Sequence, residues 1–339
     1  MATPSKLLKL LDTELIRELI DLRISDIRKG LIWFDGSRKR RDNQFKVRYE
    51  FLVGSVSAVP LTNPKAPSVP VGLEDIKQYG VVPTSMRIHH CIYDHDKIDM
   101  RAPGGADETR WGNGLNEWVA GILAERMLCT KEMLLWEALS GSISYNSSKT
   151  KLIYTIDFNI PATHLPTLTG GDKWDAPSTA NPLKNIEDWL ALYEKDAGFL
   201  PNKIVMNRFT LNTILAVAKF GDLFNNKEIM PLEGFKQWLQ STSGEATQLE
   251  IYQGNYKDED GNQSYMVSNG EVFMFNTDRT LLFEEVAAAE NETSPGSYAA
   301  GPWSESIPLN DPKGVKIMAG ENMLPVITNP NAAFKAITY

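Results

Sequence analysis

The chain is poor in the residues and motifs from which catalytic and metal sites are usually built. Its 339 residues include only two cysteines and four histidines. The two cysteines, Cys91 and Cys129, cannot form a disulfide framework, which fits a reducing compartment. The sequence also contains no Walker loop, Gly-x-Ser-x-Gly elbow, His-Glu-x-x-His pair or Cys-x-x-Cys pair. These absences predict that the protein is not an enzyme and has no catalytic, cofactor-binding or metal-binding residues.

Charge and hydropathy exclude further classes of protein. The formal net charge is −8, and charged residues make up 23% of the chain. This balance argues against a protein that coats nucleic acid by neutralising its phosphates. No apolar run approaches the length needed to cross a bilayer. Residues Lys6 to Leu11 alternate lysine with pairs of leucine, unlike a secretory signal. We expect a soluble protein that is made in the cytoplasm.

Residues 45 to 100 form a long stretch in which no helix is expected. Its prolines remove backbone donors and fix φ, and short runs of β-branched and aromatic residues lie around them. A segment of this length cannot bury itself within one domain, yet it is too apolar for ordinary disorder. We therefore predict an arm that pairs with a neighbouring subunit. The prolines are Pro60, Pro64, Pro67, Pro70 and Pro83.

Two segments that precede this arm have alternative interpretations. Residues 5 to 29 repeat leucine at spacings of three and four, which predicts an amphipathic helix that ends at Gly30. That helix either packs on its own domain or lies on a neighbouring subunit. The basic run from Arg38 to Arg41 is predicted to be a solvated turn, with nucleic-acid contact as the alternative.

One long amphipathic helix is predicted from Asp107 to Leu139. Its apolar residues recur at helical spacing and define a broad buried stripe that includes Trp118 and Ile122. Gly121 weakens the helix locally, by about 1 kcal/mol relative to alanine. We expect another backbone to pack closely against that face and offset the loss.

From Ile143 the pattern changes to short strands and helices. A hairpin is predicted over residues 143 to 160, and the pair Asp260 and Gly261 indicates a second hairpin between residues 249 and 267. Helices are predicted at 183–197, 208–219 and 231–240, and further strands at 203–206, 272–275 and 280–283.

The last part of the chain is predicted to hold a loop followed by strands. Residues 287 to 312 are rich in glycine, proline and serine, which is typical of a loop. Strands return over residues 315 to 339, with Pro325 and Pro330 marking strand edges or turns.

Histidine and cysteine cluster at one place in the sequence. His89, His90, Cys91 and His95 are residue types that bind zinc, with Asp94 and Asp96 beside them. Adjacent residues of a strand point to opposite faces, however, so His89 and Cys91 could share a site that His90 could not join. No second ligand cluster lies elsewhere, and an ordinary strand end is favoured.

Three other candidates also lack a complete site. Asp258, Asp260 and Asn262 resemble the opening of a calcium loop, but the later glycine and glutamate are missing, which favours a hairpin tip. His164 has no partner motif in the sequence. Carboxylate pairs cannot be assigned to acid–base chemistry without geometry. The pairs considered are Glu284 with Glu285, and Asp157 with Glu187.

Five segments, taken in their order along the chain, resemble one protein family. They are Leu139 to Tyr145, Tyr154 to Phe158, Leu249 to Gln263, Val272 to Phe275, and Glu321 to Ala332. Together with the order of arm, extended loop, long helix and central domain, they resemble the major capsid proteins of tailed phages, which have the Hong Kong 97 fold. The resemblance is to the family of the phage lambda major head protein, capsid protein E.

The resemblance implies an α+β fold with a defined division into domains. Residues 1 to 42 would form an N-terminal arm, and residues 43 to 100 an extended loop. Residues 101 to 185 together with 313 to 339 would form a peripheral domain around the long spine helix. Residues 186 to 312 would form the axial domain.

The resemblance also implies a function and a set of partners. The subunit would self-assemble, as pentamers and hexamers, into the icosahedral head shell around the double-stranded DNA genome. Scaffolding, decoration and portal proteins would be its partners. DNA would be enclosed without sequence-specific binding, no membrane would be involved, and assembly in the host cytoplasm would lead to the virion. The alternative is an encapsulin-like nanocompartment shell, which has the same fold but packages enzymes.

Overall fold

The computed structural model describes most of the chain and shows an α+β protein. The predicted helix at residues 5 to 29 and the middle of the extended segment lie outside the described residues. Within the described part, no helix is long and apolar enough to cross a membrane. The described ranges are 38–52, 76–83, 85–94, 108–147, 152–176, 178–217, 232–243, 247–258, 261–277 and 279–339.

The described helices and strands follow the predicted order closely. The helices are α1 (Glu108–Leu139), α2 (Pro182–Ala197), α3 (Arg208–Ala216) and α4 (Leu232–Ser243). The strands before α2 are β1 (Arg38–Asp42), β2 (Val47–Leu52), β3 (Ile76–Val81), β4 (Ser85–Tyr93), β5 (Ser142–Ser147) and β6 (Leu152–Asp157). Those in the middle are β7 (Lys203–Met206), β8 (Gln248–Ile251), β9 (Asn255–Lys257), β10 (Gln263–Tyr265) and β11 (Glu271–Phe275). The last are β12 (Leu281–Ser294), β13 (Ser297–Ala300), β14 (Trp303–Asn310), β15 (Lys313–Ile327) and β16 (Ala333–Ile337).

The chain divides into two compact units that each draw on distant parts of the sequence. Unit 1 comprises residues 1–47, 80–132 and 283–324, and unit 2 comprises residues 48–79, 133–282 and 325–339. Each unit therefore contains strands from the last quarter of the chain. This division differs from the domain boundaries that the resemblance implies, since residues 325–339 group with the central α/β part.

Unit 2 is built on a four-stranded sheet in the order β16-β11-β7-β8. β11 runs antiparallel to both β16 and β7, whereas β7 and β8 are parallel. The parallel pair requires a crossover, and α3 and α4 supply it. Trp174 and Trp189 stack with ring centroids 5.7 Å apart, and Trp189 lies equally close to Phe334 of β16. Aromatic rings therefore pack together within the core of this unit.

Local sequence signals set the ends of α2. The side chain of Asn181 accepts a hydrogen bond from the Lys184 amide, and Pro182 occupies the first helical turn, where its missing donor costs nothing. Gly198 ends the helix with φ of 79°, a left-handed conformation that glycine adopts without strain. These are signals that the sequence alone displays, and the predicted helix at 183–197 is confirmed.

Unit 1 is organised around β15, which pairs antiparallel with β14 on one side and with β4 on the other. Gly320 of β15 lies opposite Trp303 and Arg87 in these two ladders. A Cβ atom at Gly320 would come within 2.6 Å of the Trp303 ring and 2.7 Å of the Met86 carbonyl oxygen. Only glycine permits this close approach of three strands.

Helix α1 confirms the predicted long helix, but its burial differs in detail. Leu123 and Met127 are buried as expected, whereas Ile122 is only half-buried. The structure does not describe the side chains of α1 that precede Gly121. No described atom lies within 4 Å of a Cβ placed on Gly121. Within the described part of the chain, no other backbone packs on α1 at this position, and the expected close packing stays a prediction.

Several other expectations need correction. Residues 287 to 312, predicted to be a loop, form the end of β12 together with β13 and β14, because long-range pairing overrides their weak local preference. Pro325 lies within β15 rather than at its edge, whereas Pro330 begins a short 3-10 helix as expected of a turn. β4 belongs to the segment expected to pair with a neighbour, yet it pairs with β15 of its own chain.

Candidate assembly site

The basic run from Arg38 to Arg41 forms strand β1, and β1 pairs with β12. The prediction of a solvated turn is therefore wrong. Arg40 Nε donates to Glu284 Oε2, and Arg41 Nε donates to Glu285 Oε2 over 2.8 Å. We call Glu284 and Glu285 the carboxylate pair. Its role in the structure is to bind a basic strand, which explains the two adjacent glutamates without acid–base chemistry.

The carboxylate pair is buried although its arginine partners are not. The Glu284 side chain is 0% exposed and that of Glu285 is 3% exposed, whereas Arg40 and Arg41 remain 46% and 60% exposed. Burial raises the pKa of Glu284, the Arg40 guanidinium opposes this effect, and the carboxylates of Asp42 and Glu285 add to it. Losing β1 would leave two buried carboxylates without these arginines, which is energetically costly.

An ion pair with both members buried connects α1 with β15. Lys131 Nζ lies 2.5 Å from Glu321 Oε2, and both side chains are almost fully buried. Sequence reasoning missed this pair. The available signal was the position of Lys131, four residues after Met127 and four before Leu135 on the apolar stripe, where a lysine needs a buried partner. Nearby, burial and then the Glu132 carboxylate raise the pKa of the Cys129 thiol.

A fourth ion pair lies between the strands of unit 1. Arg87 of β4 donates to Glu290 of β12, with 2.6 Å between Nη2 and Oε1. β12 and β15 together thus carry carboxylates that pair with cations from β1, β4 and α1. Each pair has at least one buried or half-buried member, so these contacts are screened less by salt than exposed pairs.

β2 and β3 form a separate two-stranded ribbon. Lys46 lies directly over Gly80 near the base of this ribbon. Two large apolar side chains lie exposed beside it: Phe45 is 55% exposed and Val82 is 45% exposed. Phe45, just before β2, and Val82, just after β3, therefore present apolar surface at this end of the ribbon.

The histidine and cysteine cluster, predicted to be an ordinary strand end, lies largely on strand β4. His89, His90 and Cys91 lie on β4 and pair with Met318, Ile317 and Lys316 of β15. His95 lies outside the described residues. Among the residues that the structure describes, no group of three or more histidine, cysteine, aspartate or glutamate side chains could hold a metal ion. Cys91 and Cys129 are both free thiols.

The predicted hairpin tip is confirmed between β9 and β10, which pair antiparallel. Asp258 closes the turn: its Oδ1 accepts a hydrogen bond from the Asn262 amide over 2.8 Å. Gly261 has φ of 88°, a left-handed conformation that favours glycine in hairpin turns. Asp258 therefore binds backbone within the turn, as a hairpin requires.

His164 has a buried structural position that its sequence did not reveal. Its Nε2 lies 3.0 Å from Asp196 Oδ2 at the end of α2, and its Nδ1 lies 3.1 Å from the Ala333 carbonyl oxygen of β16. Tyr193 Oη donates to the neighbouring Ala332 carbonyl oxygen over 2.7 Å, and burial raises the pKa of Tyr193. His164 thus joins α2 to β16, 169 residues further along the chain.

Solved structures with the same architecture include a prophage capsid protein, a phage-related protein and a phage procapsid. A prophage capsid protein of Escherichia coli CFT073 has a TM-score of 0.63 at 16% identity, covering 96% of this chain and 99% of its own. A phage-related protein of Bordetella bronchiseptica RB50 has a TM-score of 0.55 at 12% identity, with 94% and 96% covered. The satellite phage P4 procapsid gives 0.50 at 9% identity, with 94% and 90% covered. Comparison with curated protein sequences gave no significant match.

These similarities define the class of the protein: it has the Hong Kong 97-type fold of tailed-phage capsid subunits. The particular family follows from the sequence itself. The sequence profile of the family described as phage major capsid protein E matches residues 32–338. The chain belongs to the phage major capsid protein E family, and its role is that of a structural protein of the phage head. Both the predicted family and the predicted fold are confirmed.

Proposed function

We propose that this chain assembles with copies of itself, as pentamers and hexamers, into the icosahedral head shell that encloses the double-stranded DNA of a tailed phage. The observation that carries the proposal is the match of the capsid protein E profile to residues 32–338. The prophage protein of Escherichia coli supports the same fold over 96% of the chain.

The ribbon of β2 and β3 supports assembly through neighbouring copies. Among the described residues, neither strand pairs with any strand outside the ribbon. A two-stranded ribbon alone is marginally stable in water. The exposed Phe45 and Val82 add apolar surface at its base. Packing of the ribbon on a second copy would bury this surface and satisfy its free strand edges.

For the domains we propose that residues 1 to 42 serve as an N-terminal arm and residues 43 to 100 as the extended loop. Residues 186 to 312 would form the axial domain, and residues 101 to 185 with 313 to 339 would form the peripheral domain. Within residues 186 to 312, the strands β7, β8 and β11 pair in one sheet. The helices α2, α3 and α4 around that sheet support its compact, axial role.

We further propose that the protein has no enzymatic activity, cofactor or membrane partner, and that scaffolding, decoration and portal proteins join it in the host cytoplasm. The net charge of −8 supports a shell that encloses DNA without binding a particular sequence. The nanocompartment alternative has less support, because the matching family profile is that of a phage capsid protein. Nuclease-protected DNA in native particles would separate the two.

Deletion of residues 61 to 75 tests the proposed assembly while keeping β2 and β3 intact. A matched control replaces the same residues with a Gly/Ser linker of equal length. We expect the wild type to form closed shells by negative-stain microscopy and the deletion variant to form none. Circular dichroism should show that the variant subunit stays folded, since the core of unit 2 lies elsewhere.

Two results would contradict the proposal. The first is a wild-type protein that stays a monodisperse monomer over a wide range of concentration and salt, with or without scaffold. The second is a deletion variant that assembles normally. Hydrogen exchange gives an independent check: amides of β2 and β3 should exchange quickly in free subunits and become protected in shells.

A further inference from the structure

Strand β1 has a composition that leaves its register on β12 weakly specified. Its residues, Arg38–Asp42, include no apolar side chain. A one-residue shift of a strand is normally prevented because it moves the buried apolar side chains to the opposite face. β1 has no such set, so its position along β12 depends on its charges.

Those charges repeat along the strand. Arg40 and Arg41 now bind the carboxylate pair. Successive strand residues face opposite sides, so one ion pair lies on each face of β1. A shift of one residue would place Lys39 and Arg40 in these two positions, and a shift of two would place Arg38 and Lys39 there. Every one of these registers offers the carboxylate pair two cations.

A lysine can take either position because of the way the arginines bind. Arg40 and Arg41 each contact a carboxylate oxygen through Nε. A lysine ammonium can reproduce a contact to a single oxygen, although it cannot reproduce a bidentate one. The arginine side chains are also half-exposed, which leaves room for side chains of different length.

The shift is possible in one direction only. Movement the other way would bring Asp42 against the carboxylate pair, where its charge is repelled. Asp42 also closes the following bend, since its Oδ1 accepts a hydrogen bond from the Gln44 amide over 3.0 Å. The allowed shift instead adds residues to the exposed stretch from Asn43 to Lys46, ahead of the buried Val47. Lengthening an exposed loop by one or two residues costs little.

We propose that β1 slides on the carboxylate pair in steps of one residue, from the observed register to two further ones. Each step moves β1 along β12 by about 3.4 Å, the rise of one strand residue. Identical subunits at non-identical places in a shell need arms of adjustable reach, and the sliding strand supplies this adjustment. That use rests on the proposed assembly, whereas the sliding itself is a property of the single subunit.

The test compares variants of the unassembled full-length subunit by thermal unfolding. Arg41→Gln removes one cation from the observed register, and a shift of one residue restores both ion pairs. We expect it to lower the unfolding midpoint by less than about 2 °C. Lys39→Gln alone should leave the unfolding midpoint unchanged. The double variant leaves one buried carboxylate unpaired in every register and should lose at least about 6 °C.

A conservative variant and a structure complete the test. Lys39→Arg combined with Arg41→Gln should match Arg41→Gln alone, because the cation at position 39 is kept. A crystal structure of Arg41→Gln should show Arg40 beside Glu285 and Lys39 beside Glu284. The proposal is overturned if Arg41→Gln alone fails to fold or is as unstable as the double variant, or if Arg40 stays beside Glu284. Shell formation is not a readout here, so failure of the assembly proposal would leave this result intact.

Discussion

Lys131 of α1 and Glu321 of β15 form an ion pair inside unit 1, with 2.5 Å between Nζ and Oε2. Charges this deep are retained only when they are paired, because each loses its water on folding. The pair ties the long helix to the central strand of its sheet and makes α1 depend on a residue 190 positions away. Its energy can be separated from that of the surrounding apolar contacts by substitution.

Lys131→Met should destabilise the subunit by about 3–5 kcal/mol, since it leaves the Glu321 carboxylate buried without its lysine. The double variant Lys131→Met with Glu321→Leu should recover most of this loss, because an apolar pair of similar size fills the same space. Urea unfolding of the unassembled subunit measures both. A double variant as unstable as the single one would show that the two residues are not coupled.

Gly121→Ala should stabilise the unassembled subunit by about 1 kcal/mol, because alanine favours a helix and no described atom lies near the new Cβ. Gly320→Ala serves as the contrast: its Cβ would meet the Trp303 ring, and stability should fall. The midpoints of denaturant unfolding measure the change in stability of both variants. If Gly121→Ala subunits are stable but fail to form shells, the open face of α1 at this position contacts a neighbouring copy.

Leu123→Ala should cost about 2–5 kcal/mol, because Leu123 is buried on α1. Ile122→Ala, one residue earlier and half-buried, should cost clearly less. The two variants remove similar side chains from one helix, so their difference in unfolding free energy reports the helix phase. Equal losses would mean that the buried stripe is wider than the structure shows.

Glu284 should make stability depend on pH. Its pKa is raised in the folded protein, so the folded state binds this proton more tightly than the unfolded chain. The stability from this group is complete below its unfolded pKa, about 4.3, and is lost as pH rises through the folded pKa. Glu284→Gln should therefore flatten the pH dependence of the unfolding free energy across this window. Glu305→Gln, at an exposed position on β14, is the matched control variant.

The cluster of His89, His90, Cys91 and His95 is predicted to bind no structural metal, because neighbouring residues of β4 face opposite sides. Chelator-washed protein should contain no stoichiometric zinc by elemental analysis, and Cys91→Ser should leave its stability unchanged. One zinc per chain that disappears in Cys91→Ser, together with a fall in stability, would overturn this prediction.

Features with a local cause could be predicted from the sequence. The caps at Asn181 and Gly198, the Asp260-Gly261 turn and the long pattern of α1 each arise from residues that are neighbours in the chain. Features with a distant cause could not. Arg40 and Glu284 are 244 residues apart, and nothing around either one indicates the other. The strands between 287 and 310 were missed for the same reason, since their pairing partners, not their composition, make them strands.

The late position of β15 and β16 in the chain bears on how the protein is made. β15 lies at the centre of the sheet in unit 1, and β16 forms one edge of the sheet in unit 2. On the ribosome, neither sheet can be completed until residues beyond Lys313 have been translated and have emerged. Contacts of such long sequence separation also form slowly. A nascent chain therefore cannot complete either sheet before β15 and β16 have emerged from the ribosome.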